Sequence, residues 1–275
     1  MRIHALILLL LIVSCASIHD AKYDLVLDDD SIWVEQFDST HHDDSRYNRN
    51  NKIFKEGTSF IYSFTHIDTN GEKYSFMYVD SISDWKFLPL PSNGEEIEKV
   101  SISVTEGLGQ IKKGIPNYNQ TVLSYSYWSK NTMAPFGSQS GVIENEKNVW
   151  MHPPRDQYFQ ILELNPFPYI KKPHKVGNSW EWSLSIGDFW ADPRWKTWNG
   201  TITNVYAYKI VDRITLNTNL GRVKCFVVEA DAISKLGKTK LVSYFSKKYG
   251  FVRLHYDNID GSKTQLELLE IRKLN

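Results

Sequence analysis

Residues 201–273, TITNVYAYKIVDRITLNTNLGRVKCFVVEADAISKLGKTKLVSYFSKKYGFVRLHYDNIDGSKTQLELLEIRK, decide the fold. Apolar side chains recur along them with period two, the spacing that puts every second residue on one face of a pleated strand. The runs 201–216, 221–232, 238–246, 250–257 and 263–273 therefore read as five strands. Between them lie Asn217-Thr218-Asn219-Leu220-Gly221, Lys235-Leu236-Gly237, Lys247-Lys248-Tyr249-Gly250 and Asn258-Ile259-Asp260-Gly261. Asn, Asp and Gly tolerate the positive φ that tight hairpins need, so this third of the chain is expected to be an antiparallel meander.

The same period continues upstream. In Trp180-Glu181-Trp182-Ser183-Leu184-Ser185-Ile186 the apolar side chains share a face, with Ser and Glu opposite. Phe60–Phe64, Tyr74–Tyr78, Val100–Val104 and Leu123–Trp128 read alike. No amphipathic helix of three turns or more emerges, and Pro166, Pro168 and Pro173 mark 165–173 as a crossover loop. Lys55-Glu56-Gly57-Thr58-Ser59-Phe60 echoes Lys175-Val176-Gly177-Asn178-Ser179-Trp180, leaving open a division into halves 53–172 and 173–275. The expected fold class is all-β: one large antiparallel sheet forming a barrel, half-barrel or sandwich, in a single domain from 53 to 275.

The N-terminus says where the protein works. Arg2 precedes a run of about ten apolar residues, too short for a bilayer span but suited to the hydrophobic core of a secretory signal. Ile12-Val13-Ser14-Cys15 resembles the lipobox of bacterial lipoproteins. The resemblance implies removal of residues 1–14, palmitate-type acyl chains on Cys15, and partnership with a membrane through them. Plain secretion, with cleavage after Ala16, is the alternative; an uncleaved membrane helix is a third. Residues 15–52 are polar and acidic, with Asp28-Asp29-Asp30 and His41-His42-Asp43-Asp44, and suit a tether, although Ile32–Phe37 has the pattern of a docked first strand. Of two cysteines only Cys225 remains in the folded part, so no intrachain disulfide forms there. Its strand-like surroundings make it a small buried apolar residue.

Lysine plus arginine and aspartate plus glutamate both number 32, so no basic field points to nucleic acid. No phosphate loop or dinucleotide fingerprint occurs. Gly137-Ser138-Gln139-Ser140-Gly141 has glutamine where a nucleophile elbow needs serine. Tyr256 stands where an EF-hand loop needs its first acid, so 257–261 is a hairpin turn, and no metal or other cofactor is expected.

Two segments are candidate ligand sites. Asn148-Val149-Trp150-Met151-His152-Pro153-Pro154-Arg155 places Trp150, His152 and Arg155 at a rigid corner. His titrates near neutrality and Arg grips anions. Asp188-Phe189-Trp190-Ala191-Asp192-Pro193-Arg194-Trp195-Lys196-Thr197-Trp198 puts Trp190, Trp195 and Trp198 in a polar loop, where flat rings stack on sugars, cover apolar ligands or close a sheet end as a lid.

From Gly177-Asn178-Ser179-Trp180-Glu181-Trp182, through Gly221-Arg222-Val223-Lys224-Cys225, to Tyr244–Val252, and also over Trp150–Pro168, the chain resembles a group of uncharacterised Gram-negative envelope lipoproteins. More faintly it resembles a periplasmic β-rich family with a curved or half-barrel sheet. No catalytic residue comes with either resemblance. The expectation is a non-enzymatic, membrane-anchored envelope protein binding an apolar or acylated ligand on an aromatic surface. A glycan-binding module built on the loop tryptophans and a hydrolase centred on His152 are the alternatives.

Overall fold

A computed structural model describes residues 23–28, 32–37, 51–90, 95–105 and 120–273. Cys15 and His41-His42-Asp43-Asp44 lie outside the described residues. Sixteen strands follow in chain order: β1 (Tyr23–Leu27), β2 (Trp33–Phe37), β3 (Thr58–Ile67), β4 (Lys73–Val79), β5 (Asp84–Pro89), β6 (Lys99–Val104), β7 (Thr121–Ser129), β8 (Thr132–Glu144), β9 (Asn148–Met151), β10 (Tyr169–Lys171), β11 (Ser179–Ile186), β12 (Ile202–Thr218), β13 (Gly221–Ser234), β14 (Gly237–Ser246), β15 (Gly250–Asp257) and β16 (Lys263–Lys273). Within the stretch whose composition suits a tether, β1 and β2 pair as a hairpin.

The other strands make one 14-stranded sheet, whose main path runs β10-β9-β8-β7-β6-β3-β16-β15-β14-β13-β12-β11; β4 pairs with β3 and β5. Because β16 pairs with β3, the two halves of the chain share one sheet. The path has edges at β10 and β11, and the sheet curls until these edges face each other. Tyr169 of β10 lies 5.7 Å from Trp180 of β11, and Trp150 of β9 lies 5.9 Å from Trp182. Ring packing, rather than a hydrogen-bonded ladder, closes the seam.

Burial follows the sequence pattern. Along β12, Ile202, Asn204, Tyr206, Tyr208 and Ile210 are buried, and Thr203, Val205, Ala207 and Lys209 are exposed. The alternation stops at a bulge between Ile210 and Asp212. Past the Arg213–Phe226 pair, β12 and β13 pair only with each other and overhang the sheet. The two echoing segments share a local cause: Gly57 (φ 72°) and Gly177 (φ 91°) each take the left-handed turn that starts a strand, and each donates its N–H to a neighbouring strand, at Val104 and Ile210.

The concave side is filled by the chain itself. Pro153 and Pro154 have no N–H to continue the ladder past β9. Residues 157–164 then form a 3₁₀ helix whose Tyr158, Phe159, Ile161, Leu162, Glu163 and Leu164 are buried. The sequence pattern had not indicated this element; at eight residues it is too short to reveal a helical period. Phe159 packs 4.6 Å from Tyr127 and 4.9 Å from Phe64. The carbonyl of Leu164, orphaned at the helix end, accepts from Asn204 Nδ2 at 3.0 Å and Thr239 Oγ1 at 2.8 Å. The expected crossover loop at 165–173 includes the short edge strand β10, because Tyr169–Lys171 have the N–H groups that Pro166 and Pro168 lack.

The sheet has two distinct ends. At one meet residues 52–57 and the turns 144–148, 172–178 and 246–250: Glu144 binds the backbone at 52–54, Lys172 N–H donates to the Lys147 carbonyl, and Gly250 lies against Ile53 and Phe54. The other gathers 68–72, 152–158, 188–198 and 258–262. There Tyr158 Oη meets Ser262 Oγ at 2.7 Å, Tyr158 and Trp195 rings are 6.1 Å apart, and Gly261 adjoins Thr69.

Candidate functional site

Pro153-Pro154 aims the corner 150–155 at the loop 188–198, so the two segments singled out in the sequence meet at the second end. The Arg155 guanidinium lies 5.5 Å from the Trp190 ring centroid. Trp195 donates its indole N–H to the Trp190 carbonyl at 3.2 Å and carries Arg194 over its own face at 4.9 Å. Asp192 holds Arg194 at 2.8 Å, and Asp188 accepts from Gly200 N at 2.7 Å, fixing the loop. Hydrogen bonds of this local kind replace a ladder in a turn-rich segment.

The three loop tryptophans differ in placement. Trp195 and Trp198 are buried, at 5% and 8% exposure, whereas Trp190 is half-buried. Phe189, part of the same segment but not one of its three candidate rings, is 79% exposed and packs edge-on to Trp190 at 5.1 Å. The hairpin β4–β5 leans on the same end: Phe87 stacks on His66 at 3.7 Å and meets Tyr158 at 4.4 Å.

Beneath Arg155 lies a second missed residue, Glu163. Its carboxyl is 3.5 Å from His152 Nδ1 and 3.9 Å from Arg155, and only 3% of the residue is exposed. Burial pushes its pKa up to about 8, partly offset by Arg155. Burial, reinforced by Arg155, pushes His152 down to about 3. Near neutrality both are therefore uncharged, and their approach is not an ion pair. The His152 tautomer follows from its neighbours. Arg155 can only donate, so Nε2 at 3.1 Å accepts, and Nδ1 carries the hydrogen toward the Pro153 carbonyl at 3.2 Å. A glutamate inside Gln157-Tyr158-Phe159-Gln160-Ile161-Leu162-Glu163-Leu164, between two proline-marked breaks, was the signal in the sequence.

Trp150 belongs to the seam, 5.7 Å from Phe167 and edge-on to His152 at 5.8 Å. Cys225 is buried, and burial lifts its thiol to about 11, away from reactivity. Ser138 and Ser140 are ladder residues of β8. The turn at 258–262 closes by Gly261 N–H to the Asn258 carbonyl, with Asp260 accepting from Ser262. A cavity of about 290 Å³ lies under the β12–β13 overhang, but Arg253 and Glu267 on its edge already pair at 3.1 Å. Among the described residues no helix is long and apolar enough to cross a membrane, and no group of three or more His, Cys, Asp or Glu is placed to hold a metal ion.

No protein-family profile matches the chain, and no curated protein matches it. Solved structures do resemble it. A candidate exported protein with a YmcC-like fold from Bacteroides fragilis is 12% identical with a TM-score of 0.45, over 80% of this chain and 98% of that one. A candidate lipoprotein from Parabacteroides distasonis is 13% identical with a TM-score of 0.40, over 80% and 97%. The hypothetical lipoprotein YmcC from Escherichia coli is 9% identical with a TM-score of 0.33, over 77% and 83%. The lipoprotein resemblance drawn from the sequence thus has its counterpart among solved structures; at these values it carries no argument about ligand or activity.

Proposed function

We propose that this chain is a non-enzymatic, membrane-tethered protein of the bacterial cell envelope that binds an apolar or acylated ligand at the rim formed by Phe189, Trp190 and Arg155. One observation carries the reading: a 79% exposed phenylalanine beside a half-buried tryptophan, on a loop held by the Asp188, Asp192 and Trp195 hydrogen bonds. Rigid, exposed aromatic surface is expensive to keep in water unless something covers it. The concave interior is filled by residues 157–164, which favours a rim site over an enclosed one.

The alternatives have less support. The Arg155 guanidinium occupies a face of Trp190 that a sugar would stack upon. In the hydrolase reading His152 would serve as a base, yet its two ring nitrogens already face Arg155 and Pro153. The tether rests on the Ile12–Cys15 tetrad, with Cys15 carrying two or more acyl chains, since one chain binds membranes only marginally. If Cys15 is not acylated, the protein is secreted.

The test is to isolate the protein from its native envelope, extract it, and identify co-purifying molecules by mass spectrometry. Acyl-bearing species that disappear with Phe189→Ala are expected. An oligosaccharide would instead favour the glycan reading, and no specific companion would remove the ligand reading.

A further inference from the structure

The end of the sheet opposite the aromatic rim carries a second surface. Lys52, Lys147, Lys172, Arg213, Lys247 and Lys248 are all exposed there. They form one patch. The Lys172 backbone bonds to that of Lys147, and its ammonium lies within electrostatic reach of Lys52 and Lys247. Lys247 and Arg213 both sit over the Phe226 ring, at 5.7 and 5.5 Å. Among the described residues none of the six forms an ion pair.

Acids share this end, and Glu144 and Glu146 lie within electrostatic reach of Lys172, but three of them are held by backbone N–H groups. Glu144 accepts four backbone hydrogen bonds from Lys52, Ile53 and Phe54, at 2.9–3.1 Å. Asp28 and Asp212 accept the backbone N–H of Ile32 and Arg213. Glu56 and Glu146 are exposed. Among the described residues the six exposed cations outnumber the exposed acids Glu56, Glu146 and Asp212 beside them.

Aromatic rings accompany the charges. Lys147 lies 5.7 Å from the ring of half-buried Trp33, and Lys248 lies 4.7 Å from that of half-buried Tyr249. Lysine beside Trp and Tyr is the combination that settles at a membrane–water interface, the ammonium on phosphate and the ring at headgroup depth. The N-terminal segment also arrives at this end: the Trp33 backbone N–H donates to Asn148 Oδ1 at 3.1 Å, and the Trp33 carbonyl accepts from Asn145 Nδ2 at 2.6 Å.

We propose that this basic end is a docking surface for the phosphate headgroups of an anionic phospholipid bilayer, so that the protein stands on its basic end with the aromatic rim turned away. The attraction is independent of acylation, and the test separates the two by using the mature chain, residues 15–275 without the apolar run of 1–14, carrying Cys15→Ser. Its sedimentation is measured with vesicles of phosphatidylcholine alone and with vesicles that also contain phosphatidylglycerol. Binding to the anionic vesicles only, weakening as salt is raised, is expected. A basic residue near an anionic surface contributes about fivefold, so Lys172→Glu, Lys247→Glu and Lys248→Glu together should weaken binding by about a hundredfold or more. The unfolding transition of the triple variant should match that of its parent. Equal binding to both vesicle types, no binding to the anionic ones, or undiminished binding by a folded triple variant would each overturn the proposal. Failure of acylation shows separately, as release of the unsubstituted protein from native membranes.

Discussion

The two ends of the sheet use the same turn-rich architecture and dispose of charge in opposite ways. At the aromatic end ions are paired: Asp84 with Lys86 at 2.8 Å, Asp192 with Arg194 at 2.8 Å and Asp257 with Lys263 at 3.0 Å. Glu72, Asp188 and Lys196 are exposed there as well, but the end also carries the most exposed large apolar side chain, Phe189. At the basic end Glu144 is bound by backbone N–H groups, Lys172 donates to the Asn145 carbonyl, and the exposed cations outnumber the exposed acids. An end whose neighbouring charges pair suits an apolar partner; an end where cations are in excess suits an anionic one. The contrast concerns surfaces only, since one continuous aromatic core supports both.

Substitutions in the shared core should have the largest effects. Phe159→Ala and Trp195→Ala each remove a buried ring, fully buried for Phe159 and 5% exposed for Trp195, and should cost about 3–5 kcal/mol in urea unfolding. A small cost for Trp195 would mean that it belongs to the rim with Trp190. Next comes the clamp beneath the basic end. Glu144→Ala leaves the N–H groups of Lys52, Ile53 and Phe54 without their carboxylate and should cost about 2–3 kcal/mol, with faster amide exchange confined to 51–58.

Beneath the aromatic end the effect is a slope. The folded pKa of Glu163 is raised from 4.5 to about 8, so the folded state binds the extra proton in that window. Its contribution is fully present below pH 4.5 and is lost as pH rises through about 8. The wild-type protein should lose up to about 1.4 kcal/mol per pH unit there relative to Glu163→Gln. His152, His66 and His174, depressed from 6.5 to about 3, 4 and 4, act in the other direction: their contribution holds above pH 6.5 and is lost as pH falls through those values. Parallel stability curves for the two proteins would show that Glu163 is solvated. The smallest effect belongs to Lys247→Ala at the basic surface, which should move stability by less than about 0.5 kcal/mol.

The strands were legible because side-chain period and turn chemistry agree from residue 201 onward: Gly221, Gly237, Gly250 and Gly261 all take positive φ at the expected hairpins. The curl of the sheet was not, because closure depends on Trp180 and Trp182 meeting Tyr169 and Trp150 across a seam, contacts that no local pattern encodes. The segment 157–164 was hidden for a related reason. Its polar residues Gln157, Gln160 and Glu163 recur every third position, the period of a 3₁₀ helix, but over eight residues this makes less than three turns and Glu163 is buried with the apolar side chains. In the candidate site the residue types were readable and their meeting was not: Arg155 and Trp190 are 35 positions apart and become neighbours only when the sheet curls. The basic end escaped for the opposite reason, as its five lysines and one arginine are scattered over five segments of an electrically neutral chain.

The central claim, that the aromatic rim is a ligand site, is tested most directly by quenching of tryptophan emission with a bromine-labelled acyl chain, which acts only on nearby indoles. The account predicts saturable quenching in the natural protein. In Trp190→Ala the quenching should largely vanish while urea stability changes by less than about 1 kcal/mol, as expected for a half-buried ring. Equal quenching in both proteins, or none in the natural one, would contradict it.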